Sequence, residues 1–403
     1  MKISQNAKKA IYIGSLCSIS YLAVYIARNT LGAVTDKMAA AGYDLAYTGS
    51  IAFFFFMCYG IGQLINGFAG DKFSPKWMIC IGLFGSGITN IIFTLVIASP
   101  IAANVAYGMT GIFLSMIYGP MTKIVAENTE PLYATRCTLG YTFSSLLATP
   151  SAQILAMFLI WESVFGVSSA LLILMAFLAF IFFSAFEKRG IITYGKYKAK
   201  EKGVGGGVKA LIGRGIIKMA IISIITGVIR TSLITLMKQY FIDYLKFDST
   251  AAGGIAATAA VIISLTAFVS IFVYERIGYK MNLTMFIFFI LSFIFFILTY
   301  FVTARIPNII FFVLAIMSSI AAANMIFSRY SPSLRDTGMV STATGFLDFL
   351  SYMAAAVASA IFGSLADLNK WESILIICIV LMLIGIILCI PRKNDRIEPP
   401  TLA

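Results

Sequence analysis

Twelve stretches of this 403-residue chain are long, apolar and nearly free of charge, at 11–34, 49–69, 77–98, 102–125, 138–160, 163–186, 215–240, 252–274, 281–303, 308–328, 340–366 and 371–390. A helix that crosses a bilayer needs about 20 mostly apolar residues. The runs are continuous rather than alternating, which favours helices over barrel strands. Soluble domains carry about 25% charged residues, and this chain has 12% charged against 60% hydrophobic. That charge cannot coat a globule of this size in water, which excludes a soluble enzyme or a nucleic-acid-binding domain. The expected fold is an all-α membrane protein of twelve transmembrane helices set in a lipid bilayer. The first run contains Arg28 and lacks a small-residue cleavage site, so it is expected to stay as a helix and not to be removed as a signal peptide.

Basic residues orient the chain, because Lys and Arg concentrate in cytoplasmic loops. With the N-terminus inside, 23 of the 30 basic residues fall on the inner side and five, Lys37, Lys238, Lys246, Arg305 and Lys370, on the outer side. Both termini are therefore expected in the cytoplasm, in a plasma (inner) membrane. Much of the net charge of +13 is then a topology signal and not a nucleic-acid footprint. Residues 187–214 form the longest polar stretch, with Lys196, Lys198, Lys200 and Lys202 followed by Gly203, Gly205, Gly206 and Gly207. This composition suits a flexible cytoplasmic linker, and contact with anionic lipid head groups is the alternative. It divides the chain into six helices in 1–186 and six in 215–403.

The two halves repeat at an offset slightly above 200 residues. Asp71 and Lys72 recur as Glu275 and Arg276, Lys76 as Lys280, Trp161-Glu162-Ser163 as Trp371-Glu372-Ser373, Gly140 as Gly345, and Arg28 as Arg230. The halves are thus expected to be pseudo-symmetric. No enzyme chemistry is indicated. There is no histidine, no P-loop and no HExxH, and the six cysteines are scattered without a CxxC, so neither a cofactor nor a metal is expected.

Charge at mid-bilayer costs at least about 2.5–3.5 kcal/mol and usually faces a cavity. Arg28, Arg230 and Asp348 are the Arg, Asp and Glu residues well inside the expected helices. Tyr21, Tyr25 and Arg28 share one helix face at i, i+4 and i+7, as do Tyr59 and Gln63 on the second helix. Phenolic donors beside a guanidinium suit an oxyanion, and Arg recognises phosphate or carboxylate through a planar fork. Pairing within the bundle or snorkelling to the interface are the bland alternatives. Asp348 has three readings: an ion pair with one Arg, a proton-coupling carboxylate, or a hydrogen bond to a neighbouring helix, for instance through Asn324. The turn Gly67-Phe68-Ala69-Gly70-Asp71-Lys72-Phe73-Ser74-Pro75-Lys76 resembles the loop between helices 2 and 3 of major facilitator transporters, a resemblance that implies a gating loop in which Asp71 caps a helix start and works with Lys72 and Lys76. An ordinary polar turn is the other reading.

These residues resemble the organophosphate:phosphate antiporters of the major facilitator superfamily, the glycerol-3-phosphate and hexose-phosphate transporters. The likeness covers Tyr21, Tyr25, Arg28 and Asn29; Tyr59-Gly60 with Gly67, Asp71, Lys72, Pro75 and Lys76; Arg230 and Tyr240; and Thr342, Gly345, Phe346, Phe349, Tyr352, Ala358, Ser359, Ala360, Gly363, Asp367 and Trp371. It implies the major facilitator fold, exchange of a small organic anion for inorganic phosphate, and a monomer. It also implies that Arg28 and Arg230 hold the phosphate, with Tyr21, Tyr25, Tyr59, Tyr240 and Tyr352 nearby. A proton-coupled symporter of another organic anion and a non-transporting sensor of sugar phosphate are the alternatives. The chain departs from the glycerol-3-phosphate pattern in two places. Gln63 stands where those members carry Lys, and helix 5 offers Tyr141, Ser144 and Ser145 in place of a His.

Overall fold

A computed structural model describes residues 4–43, 45–195 and 208–391. The linker lysines from Lys196 to Lys202, Gly203 to Gly207, Lys2 and the basic residues after 391 lie outside the described residues. Within the described residues every regular element is helical. The long helices are α1 (Gln5–Ala40), α2 (Leu45–Lys72), α3 (Pro75–Val96), α4 (Pro100–Asn128), α5 (Pro131–Phe158), α6 (Trp161–Lys188), α7 (Ile216–Asp243), α8 (Ala251–Arg276), α9 (Met281–Phe301), α10 (Arg305–Met325), α11 (Val340–Asp367) and α12 (Trp371–Cys389). These are the twelve helices expected, and eleven are long and apolar enough to cross a membrane by length and composition. The remaining helix, α5, has 28 residues and is more polar, with Thr135, Arg136, Thr138, Tyr141 and Ser144 along it.

Local chemistry sets the helix starts. Pro75, Pro100 and Pro131 occupy the first turns of α3, α4 and α5, where a missing N–H costs nothing. Pro131 thereby opens α5 seven residues ahead of the expected run at 138. At 36 residues, or about 54 Å at 1.5 Å per residue, α1 outruns the ~30 Å hydrocarbon core. The end of α6 is closed by Gly190 at φ +66°, with Ile191 N–H returning to Phe186 O at 2.8 Å.

Three of the later spans are broken. A π-turn at Ile229–Leu233 interrupts α7, and α8 is split at Leu265. A second π-turn, Ile326–Tyr330, follows α10 and leads through a short turn and a 3-10 segment, Leu334–Thr337, to α11.

The chain gathers into two compact units. The first contains 1–214 with 331–349, and the second contains 215–330 with 350–403. In the first, α1 packs on α5 and α6, α2 on α4, and α3 on α4 and α6. Small residues permit close approach: a Cβ on Gly111 would stand 2.6 Å from Phe55 O. Polar bonds also tie helices together, as when Asn66 donates to Ser115 Oγ at 2.7 Å and Asn90 to Ser168 Oγ at 3.0 Å. In the second unit α9 packs on α10 and α12, and α8 on α10.

Candidate functional site

The helix face predicted from Tyr21, Tyr25 and Arg28 carries an aromatic cluster in the first unit. The Arg28 guanidinium carbon lies 4.8 Å from the Tyr59 ring centroid, 5.2 Å from Tyr25 and 5.4 Å from Phe56. Rings from both α1 and α2 therefore surround this cation, and each contact is worth about 0.5–2 kcal/mol according to its desolvation. Tyr21 is the hub of the remainder, at 4.8 Å from Tyr25, 5.4 Å from Tyr118 on α4 and 5.9 Å from Tyr141 on α5. Asp348, buried in the first third of α11, lies within electrostatic reach of Tyr21. The first unit thus brings Arg28, five tyrosines, Phe56 and a carboxylate to one neighbourhood.

Gln63 stands one turn beyond Tyr59 on α2 and is 1% exposed. Its Nε2 is enclosed and has no acceptor among the described residues. The helix is held firmly here. A Cβ on Gly345 would fall 2.2 Å from Gln63 O and 2.8 Å from Gly67 Cα, so α2 and α11 meet backbone to backbone.

The same helix ends in the predicted gating loop. Asp71 Oδ1 accepts from Ser341 N at 3.0 Å and Oδ2 from Thr342 N at 2.7 Å, capping the first turn of α11. Lys123, buried on α4, donates to Gly70 O at 3.1 Å and Asp71 O at 3.0 Å, and lies 3.6 Å from Asp71 Oδ1. One carboxylate therefore caps the start of α11 while one ammonium caps the end of α2. The other two loop cations are placed elsewhere. Lys76 pairs with Glu187 of α6 at 2.6 Å, and Lys72 is exposed.

In the second unit Arg230 sits in the π-turn of α7 and is half-buried. One turn before it, Gly227 would place a Cβ 2.5 Å from Ser351 O, so α7 crosses α11 next to Tyr352, itself half-buried. Tyr240 is not brought to this crossing. Its hydroxyl donates to Asn308 Oδ1 at 2.7 Å, and its ring stacks on Phe312 at 4.6 Å and meets Trp371 edge-on at 5.4 Å. Asn324 donates to Ser270 Oγ at 3.4 Å.

Reading the sequence missed Phe56, Tyr118 and Lys123. Phe56 lies three residues before Tyr59, a helical spacing hidden in the run Phe53 to Phe56. In the sequence Tyr118 is one more aromatic in an apolar run, and Lys123 reads as one of the basic residues on the inner side. Of Ser144 and Ser145, the first donates to Gly140 O at 2.9 Å within α5, and the second's side chain lies outside the description. Among the described residues no group of three or more His, Cys, Asp or Glu is placed to hold a metal.

Three kinds of comparison fit this arrangement. Over 110 residues the chain is 27% identical to a protein of Chlamydia pneumoniae named "Probable hexose phosphate transport protein", covering 27% of this chain and 24% of that one. Over 176 residues it is 23% identical to the "Glycerol-3-phosphate transporter" of Bacillus subtilis (strain 168), covering 42% and 39% respectively. The matched stretches thus span between a quarter and two fifths of the length of these relatives. A solved bacterial homologue of the iron transporter ferroportin, in an outward-facing state, superposes with a TM-score of 0.76 over 94% of this chain and 98% of its own, at 12% identity. That likeness speaks for the fold alone. The family model of the Major Facilitator Superfamily matches residues 17–341, well over half of the sequence. With twelve helices, two units and this match, the chain is a multi-pass membrane transporter and belongs to the Major Facilitator Superfamily.

Proposed function

We propose that the protein carries an organic phosphate, of the sugar phosphate or glycerol phosphate type, across the plasma (inner) membrane in exchange for inorganic phosphate by alternating access. In this reading it works as a monomer with both termini in the cytoplasm. The observation that carries it is the ring-enclosed guanidinium of Arg28 amid the tyrosines of α1, α2, α4 and α5. Arg cannot shed its charge, and its planar fork matches a phosphoryl group. Rings over its faces leave the N–H edges to choose the ligand. Arg230 supplies the second cation, with Tyr21, Tyr25, Tyr59, Gln63 and Tyr352 as polar partners. A cationic site is costly to seal from water when empty, and a bound anion removes that cost. The loaded carrier then changes state more readily than the empty one, which makes exchange obligatory. Asp71 and Lys123 act as the inner latch on α11.

The relatives' names support an organic phosphate as cargo. Proteoliposomes preloaded with radiolabelled phosphate test the reading: label should leave only when phosphate or an organic phosphate is outside. Equal release into anion-free buffer would refute exchange. The closeness of Asp348 to Tyr21 favours a second reading, proton-coupled symport of an organic anion. Uptake driven by a pH gradient without internal phosphate would select it.

A further inference from the structure

We propose that Gln63 selects the organic part of the cargo, its side-chain amide donating to a neutral oxygen, a hydroxyl, while the arginines hold the phosphoryl group. This rests on the anion reading above and assigns one residue to the hydroxylated part of that cargo. The starting observation is an unmet donor. Gln63 is 1% exposed and its enclosed Nε2 finds no acceptor among the described residues. Buried amide N–H groups are nearly always satisfied, and an exception calls for an explanation.

Neighbouring polar side chains of α2 have an evident structural use. Asn66 donates to Ile112 O and Ser115 Oγ on α4, and Asp71 caps α11. Gln63 makes no such bond. Packing alone would be served as well by Met or Leu, which bring no donor to satisfy.

Position supplies the second observation. Tyr59, Gln63 and Gly67 follow one another at i, i+4 and i+8 along one face of α2. At one end of that stripe the Tyr59 ring lies 4.8 Å from the Arg28 guanidinium. At the other, Gly67 meets Gly345, one turn from the buried Asp348. The Gln63 backbone is pinned between them by its carbonyl against Gly345, so only the long side chain is left to move. An amide carries no charge. Beside a cation already suited to the phosphoryl oxygens, it adds directional hydrogen bonding without raising the total positive charge. A hydroxyl oxygen one or two bonds beyond the phosphoester meets that requirement, whereas the unsubstituted end of a simple alkyl phosphate does not.

The test compares purified wild-type protein with Gln63→Met and Gln63→Glu, measuring displacement of labelled inorganic phosphate by glucose 6-phosphate, glycerol 3-phosphate and ethyl phosphate. Wild type should prefer the hydroxylated esters to ethyl phosphate. In Gln63→Met that preference should fall roughly tenfold, the worth of one neutral hydrogen bond. Gln63→Glu, whose carboxylate accepts at both oxygens and cannot donate, should lower it likewise. An unchanged preference in both variants would overturn the proposal, as would equal weakening toward all three esters. Failure of wild type to bind inorganic phosphate would bring down the anion reading itself, and this proposal with it.

Discussion

Replacing Asp71 with Asn isolates one carboxylate that holds the start of α11. The two N–H···O bonds, 3.0 Å from Ser341 and 2.7 Å from Thr342, are charge-assisted, and the side chain is 7% exposed. Hydrogen bonds to a buried charged group are worth about 1.5–3 kcal/mol each. Asn offers a single carbonyl acceptor of about half that strength and turns an NH₂ toward the other amide. One bond is lost, the other is weakened, and the favourable interaction with the helix dipole goes too. The expected loss is about 3 kcal/mol, or roughly a hundredfold in the local opening equilibrium. Lys123 keeps its carbonyl partners Gly70 O and Asp71 O but loses the carboxylate 3.6 Å away, which adds to the loss. Hydrogen exchange of the peptide covering 338–346 reads the opening directly, with the peptide of α9 as internal reference. Exchange at Ser341 and Thr342 within threefold of wild type would refute the cap as an energetic element.

Gly345→Ala should separate α2 from α11, because its Cβ would lie 2.2 Å from Gln63 O; a fall in apparent Tm together with loss of phosphate exchange is expected, and a normal Tm would show that the crossing relaxes freely. Asn308→Ala removes the acceptor for Tyr240 and the donors to Thr299 O and Val302 O, a loss of roughly 2–4 kcal/mol, read by thermal unfolding in detergent. Adding Tyr240→Phe should cost less than the two single losses combined. Arg28→Lys and Arg230→Lys keep the charge and lose the fork, so each should weaken phosphate binding about tenfold to a hundredfold; near-normal affinity in both would end the anion assignment.

The spans were legible because a run of some 20 apolar residues has few other fates. Helix starts at Pro75 and Pro100 agreed closely with those runs, while Pro131 carried α5 into polar sequence that hydropathy had assigned to a loop. The face joining Tyr21, Tyr25 and Arg28 follows from helical spacing alone. What spacing cannot supply is the partner on another helix. Phe56 and Tyr118 join the Arg28 and Tyr21 cluster through tertiary packing, and nothing in their local sequence separates them from lipid-facing aromatics. Tyr240 shows the converse: resemblance placed it with the phosphate ligands, and the structure bonds its hydroxyl to Asn308, 68 residues away. Lys76 reads as part of one loop with Asp71, yet a longer side chain and a nearby Glu187 draw it to α6.

The π-turn at Ile229–Leu233 has a consequence for insertions and deletions. Such a turn holds one residue more than an α-turn, so α7 contains an embedded insertion located at Arg230. Removing a single residue there closes the wide turn to an ordinary one, because five residues of a π-turn rotate the chain by nearly the same angle as four of an α-turn. Tyr240 and Phe241 would then keep the sockets formed with Asn308 and Phe312, and Gly227 its place against Ser351. A one-residue deletion at 231 should therefore be far less damaging than the same deletion in the unbroken stretch before it, where it would turn everything downstream by about 100°. The wide turn changes what surrounds Arg230 without changing the phase of the helix on either side.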